Sequence, residues 1–271
     1  VGILFVTLTV LLASGTWYAA RVSANHPVLV EGEQDFDGDG LTGAAEDTDN
    51  ATDRVFGTIT AALGAANGGV NQNGSVTIVT SGRFPETVTI TAANGNVNLE
   101  AAAGVEANID AVLAGSAGNA ARQAQPGIIV NAPSNRIVTI RNISSRNWTE
   151  GIVVMGDSRV IIDRCFTANN TTFGILVRDN ARVTVANSTI TGSGFRSGAG
   201  VNNAPNPGVG IGFAGGSSGT VAFTTVSGSF AAGISNETGK RTAVGILNVN
   251  AFDNSPNYAG ISPQNQSFLV P

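Results

Sequence analysis

From about residue 53 onward, apolar residues recur in one template: two alternate positions, then a third after two more residues. The template reads Val138-x-Ile140-x-x-Ile143, Val160-x-Ile162-x-x-Cys165, Val183-x-Val185-x-x-Ser188, Val221-x-Phe223-x-x-Val226 and Val244-x-Ile246-x-x-Val249. A Gly-Ile pair follows each unit: Gly151-Ile152, Gly174-Ile175, Gly210-Ile211, Gly233-Ile234 and Gly260-Ile261. The starts lie 22, 23, 38 and 23 residues apart, and the long interval holds one unit plus the insertion GSGFRSGAGVNNAPNP. A fixed period of this size marks a solenoid, because one unit cannot bury its apolar face without its neighbours. Strict alternation over a few residues, broken by Asn and Gly, makes each unit a set of short strands. The expected fold is all-β: a parallel β-helix with three strands per turn. Its Val and Ile residues stack inward, and Cys165 and Ser188 share the inward station of Ile143.

The segment before the repeats fits as an entry. FGTITAALGAANGG (56–69) predicts a short amphipathic helix suited to capping the open end, and SVTIVTSGRFPETVTI (75–90) predicts two strands around a turn. The second stretch carries G-x-[YF]-x-E-x-V-x-I as Gly82, Phe84, Glu86, Val88 and Ile90. With the repeated rungs, it resembles right-handed β-helix proteins of the pectate lyase and pectin methylesterase superfamily over residues 53–262. The resemblance implies a right-handed coil and an outer strand face where enzymes of that kind cluster their charges. In this chain the outward stations beside the triplets read Thr139 and Arg141, Ile161 and Asp163, Thr184 and Ala186, Ala222 and Thr224, Gly245 and Leu247. Arg141 and Asp163 are rung neighbours and form a surface ion pair, with no second carboxylate stacked on Asp163. Methylesterase signatures do not occur. Glu150, Asp157 and Asp179 fall near strand ends and turns. The expectation is a non-catalytic member, and no catalytic residue is assigned.

Charge narrows the function classes. Only 12 % of residues are charged, the net charge is -5, and one lysine is present, which excludes a nucleic-acid surface. The single Cys165 excludes an internal disulfide framework or a cysteine-based zinc site and reads as buried and inert, and the single His26 leaves the repeats without Ser-His-Asp chemistry. Residues 1–20, VGILFVTLTVLLASGTWYAA, carry no charge and are long enough to cross a hydrocarbon core. Small residues at Val22-Ser23-Ala24 offer a signal-peptidase site before Asn25. The segment is therefore a removed export signal or a retained membrane or assembly element. Either way it places the protein outside the cell or on its surface.

Between these parts lies an acidic stretch, DFDGDGLTGAAE (35–46). Asp35, Asp37, Asp39, Gly40 and Glu46 match the twelve-residue EF-hand loop, D-x-D-x-D-G-x5-E. Alternate aspartates converge on one hard cation, Gly40 allows the sharp turn, the Leu41 carbonyl adds a backbone oxygen, and Glu46 closes the site with two more. The expected ion is calcium (Ca2+), in a solitary loop that resembles those of dockerins and thrombospondin type 3 repeats. The domain plan is then 1–24 apolar segment, 25–52 linker with the calcium loop, and 53–271 β-helix. The leading functional expectation is an exported structural protein that self-associates head to tail through residues 1–20 and an uncapped C-terminal SPQNQSFLVP. The alternatives are a carbohydrate-binding or adhesion module, and a lyase or hydrolase acting on acidic polysaccharide. Trp148 and the insertion are candidates for a sugar-contact surface. GVGIGF (208–213) reads as turn glycines within a rung, and nine N-x-[ST] sites coincide largely with turn asparagines.

Overall fold

The computed structural model describes residues 28–31, 45, 55–66, 73–94, 96–111, 124–194, 208–240, 243–261 and 266–267. The strands form three parallel sheets, of ten, seven and seven strands, called A, B and C below. The chain visits A, B and C in turn and then rises one rung, so neighbours in a sheet come from successive coils. This is the expected right-handed parallel β-helix.

The ladders follow from the alternation. In sheet A, Val138, Val160 and Val183 stack in register, and beside them run Ile140, Ile162, Val185, Val221 and Ile246. Sheet C stacks Ile128, Ile152, Ile175, Ile211 and Ile234. All of these are buried, each contributing about 1.5–3 kcal/mol by leaving water. Ile143, Cys165 and Ser188 are also buried in one column, as the repeat predicts.

The fourth rung departs from the predicted alignment by two residues. Val183 pairs with Gly219 and Val185 with Val221, so Val221 occupies the second inward station and Thr224, at 1 % exposure, the third. Phe223 is not a core residue: it is 56 % exposed and turns the corner from sheet A to sheet B at φ 49°. The outward pair on this rung is therefore Thr220 and Ala222. The cause lies in the core. A Cβ at Gly219 would come within 3.0 Å of the buried Phe213 ring, so the phenylalanine fills the volume that a valine fills on the other rungs. The last Gly-Ile pair is displaced as well, because Ile234 pairs with Tyr258 rather than Ile261.

The last five A-to-B corners each turn on a single left-handed residue: Asn142, Arg164, Asn187, Phe223 and Asn248 in successive rungs, with φ between 49° and 56°. Among residues with a side chain, asparagine tolerates this conformation best, which explains its recurrence at the corners. Asn147 and Asn169 do the same between B and C.

The predicted cap forms as a helix over Ile59–Ala66, with Ile59, Ala62 and Leu63 buried. The 75–90 segment makes three strands rather than two, Asn73–Ile78, Gly82–Phe84 and Val88–Thr91, one for each sheet. Glu86 of the motif holds the helix in place. Its Oε1 accepts from the Ile59 amide (2.8 Å), and its Oε2 accepts from the Thr60 amide (3.0 Å) and hydroxyl. A carboxylate here satisfies otherwise unpaired amides and opposes the positive end of the helix dipole. Val28–Val30 forms a strand of sheet A between Val55–Phe56 and Asn73–Ile78, so the cap draws on residues ahead of 53. At the other end Gln266–Ser267 extends sheet A beyond Val244–Leu247. Residues 1–20, and the segment 262–271 apart from Gln266–Ser267, both assigned above to self-association, lie outside the described residues.

Candidate functional site

The charged side chains collect along the A-to-B corner of the middle rungs. Arg141 ends the strand Ile137–Arg141, in register with Glu100 on one side and Asp163 on the other. Its Nε is 3.1 Å from Asp163 Oδ2, and its Nη1 is 3.8 Å from Glu100 Oε2. The predicted ion pair therefore exists, and it extends further than expected. Asn187 Nδ2 donates to Asp163 Oδ1 at 2.8 Å, and Arg164 Nε lies 3.9 Å from Oδ2. Both oxygens of Asp163 are engaged and its side chain is 13 % exposed. The solvated arginines limit what such pairs add to stability.

Around the corner, on the outer face of sheet B, lies an open recess of about 250 Å³ lined by Glu106, Asn108, Ser144, Arg146, Arg164 and Phe166 among others. Strand register brings these together: Ser144 pairs with Asn108 below and Phe166 above. Arg146 is held by three contacts, none of them a carboxylate. Its Nε donates to Ser144 Oγ (2.8 Å), its Nη2 donates to Asn108 Oδ1 (2.7 Å), and its guanidinium sits 5.3 Å from the Phe166 ring centroid. A guanidinium fixed in this way keeps its charge and its remaining donors for a ligand, at little entropic cost. The sequence reading did not single out Arg146 or Phe166. Their only signal is their position, one strand past the Arg141 and Asp163 stations.

The other carboxylates flagged from the sequence have structural duties. Asp179, at φ 61°, accepts from the Gly156 amide (3.0 Å), and Asp157 accepts from Asn180 Nδ2 (3.2 Å), so each ties a turn to the next rung. Glu150 opens a sheet C strand and accepts from the Thr172 hydroxyl at 3.0 Å. Burial raises its carboxyl above the ordinary range, opposed by that hydroxyl and by Arg178. Burial also pushes the Cys165 thiol up to about 12, so it stays protonated.

Other expectations change. Trp148 is not a surface aromatic: it is 1 % exposed, and its indole N–H donates to the Ile109 carbonyl (2.9 Å). Gly210 and Gly212 of GVGIGF lie within the sheet C strand Val209–Ala214 rather than in turns. They are needed for close approach. A Cβ at Gly210 would lie 2.5 Å from the Gly233 carbonyl, and one at Gly212 would lie 2.5 Å from the Phe173 ring. Asn170, in one of the N-x-[ST] sites, is fully buried, and it accepts from the Trp148 amide and donates to the Ser145 carbonyl. The calcium ligands predicted at Asp35, Asp37, Asp39, Leu41 and Glu46 lie outside the described residues, as does most of the insertion. Among the described residues, no helix is long and apolar enough to cross a membrane.

Neither a curated protein nor a solved structure matches the chain. The family described as "Right handed beta helix region" matches residues 126–270, more than half of the chain and the part that holds most of the A, B, C rungs, and the protein belongs to that family.

Proposed function

We propose that this protein is an exported, non-catalytic structural β-helix of the cell surface or an extracellular assembly, working through the sides of its rod. One observation carries the reading: Asp163, at the centre of the charged corner, has both carboxylate oxygens engaged, by Arg141 and by Asn187. A carboxylate held this way is a poor base and a poor nucleophile, because either role requires breaking charge-assisted bonds. The expected result is that the full chain, incubated with polygalacturonate and with neutral glycans, releases no unsaturated products and no new reducing ends. Turnover above the blank that Asp163→Asn lowers would overturn the non-catalytic reading. A second reading, a carbohydrate-binding module, is favoured by the recess around Arg146 and Phe166, where a fixed guanidinium can meet sugar hydroxyls or carboxylates.

Calcium belongs to the same proposal. Three aspartates, a glutamate and one backbone carbonyl form an all-oxygen donor set suited to that ion. The loop leaves the strand Val28–Val30 and returns to Val55–Phe56, its neighbour in sheet A. An ion in the loop would fix the chain where it enters the cap. Calorimetric titration of metal-stripped full-length protein is expected to give calcium-dependent heat and a raised thermal midpoint. No change at millimolar calcium would remove the ion from the proposal.

A further inference from the structure

Sheet A carries a second charged feature, at the opposite end of the strands from the corner. Arg159 and Arg182 open successive strands and stand directly opposite one another in register. Neighbouring strands are only about 4.8 Å apart, and directly opposed like charges destabilise a sheet. At the other end of these strands the same problem is solved by alternation of sign, Glu100, Arg141, Asp163. Here it is not. The remaining strand neighbours are Ile137 beside Arg159 and Ser218 beside Arg182, and among the described residues neither arginine makes an ion pair. Asp157 and Asp179, the nearest carboxylates along the chain, accept from neutral amides in the turns and form no ion pair with either arginine. Both arginines are exposed, and they line an open recess of about 210 Å³ together with Ile137, Ile161 and Thr184. The two isoleucines are 45 % and 38 % exposed, an apolar floor next to two cations without an ion-pair partner.

We propose that Arg159 and Arg182 together clamp one tetrahedral oxyanion with three terminal oxygens, a sulfate or phosphate ester, carried on a sugar ring whose C–H face rests on Ile137 and Ile161. One anion between the two guanidinium groups replaces a repulsion with two charge-assisted, fork-shaped contacts. The isoleucines take the ring face that the charged ester cannot use. This site goes beyond the structural reading of the rod and rests on the register of sheet A, not on the corner recess.

The test is calorimetric titration of the full chain at constant ionic strength. The probes are inorganic sulfate, inorganic phosphate, a sulfated galactan and the same galactan after desulfation. The sulfated galactan is expected to bind, the desulfated one not, and the double variant Arg159→Gln/Arg182→Gln to bind at least tenfold more weakly. Lys240→Gln, which removes one positive charge at an exposed site outside the recess, should bind as the parent does. Preferential competition by phosphate or by sulfate assigns the ester, and either result supports the clamp. Folding of the variants is checked by thermal melts in low salt without anion, where Arg182→Gln should melt no lower than the parent because the repulsion is gone. Equal affinity in parent and double variant would overturn the proposal. So would polygalacturonate binding as tightly as the sulfated polymer, or no binding of any anionic probe.

Discussion

Ile162→Asp is expected to cost about 4 kcal/mol or more, whereas Thr184→Asp one strand away should cost under about 1 kcal/mol. Ile162 is fully buried, with Ile140 on one side and Val185 on the other in the same inward column. An aspartate there loses the transfer energy of the isoleucine, leaves a cavity, and places a carboxyl among hydrocarbon with no donor to meet it. Either the charge is buried or the group takes up a proton, and both routes are unfavourable. Rungs stabilise their neighbours, so the damage spreads to those carrying Ile140 and Val185. Thr184 belongs to the outer face of sheet A, where an aspartate stays hydrated. Urea unfolding of the two variants reads the difference directly. Equal losses would mean that the inward register of sheet A is wrong.

Gly174→Ala should cost about 2–3 kcal/mol, although it adds a single methyl group. Gly151, Gly174, Gly210 and Gly233 stack at the start of sheet C, and the backbone of each rung lies against the glycine before it. A Cβ at Gly174 would meet the Gly210 carbonyl oxygen at 2.7 Å, Thr167 Oγ1 at 2.7 Å and Ile190 Cγ2 at 2.5 Å. The carbonyl is part of the next rung's backbone and cannot rotate aside, so relief requires opening the stack. Gly64→Ala is the matched control. Gly64 is exposed on the capping helix, with nothing within 4 Å of where a Cβ would lie, so alanine there should gain about 0.5–1 kcal/mol from a less flexible unfolded chain. Thermal melts followed by circular dichroism separate the two. Similar melting points for both variants would contradict the close approach in sheet C.

Much of this architecture is legible along the chain because its rules are local. Alternation of apolar and polar residues within five positions decides which side chains of a strand point inward, and it does so correctly for Val138, Ile140, Val160, Ile162, Val183 and Val185. The recurrence of asparagine reports the left-handed corners. The spacing of Arg141 and Asp163 by one rung reveals their ion pair, and the run from Gly82 to Ile90 announces the capped entry.

Lateral register and the identity of the recesses are decided by other means. A triplet beginning at Val221 looks equivalent to its neighbours, yet the strand sits two residues along, because Gly219 leaves room that Phe213 fills from the adjacent sheet. Exclusion of volume between sheets outweighs the likeness of one short strand to another, and it sends Phe223 out to the corner. Trp148 turns inward for a related reason: the Ile109 carbonyl satisfies its N–H within the coil. Arg146 meets Asn108, and Arg159 faces Arg182, only after every coil has been assigned its length. The sequence by itself determined the coil, its inward faces and its corners, since each depends on neighbours a few residues away. The tertiary structure alone decided which rungs align and which cations are left without an ion-pair partner, because close packing across the core and between coils sets those distances.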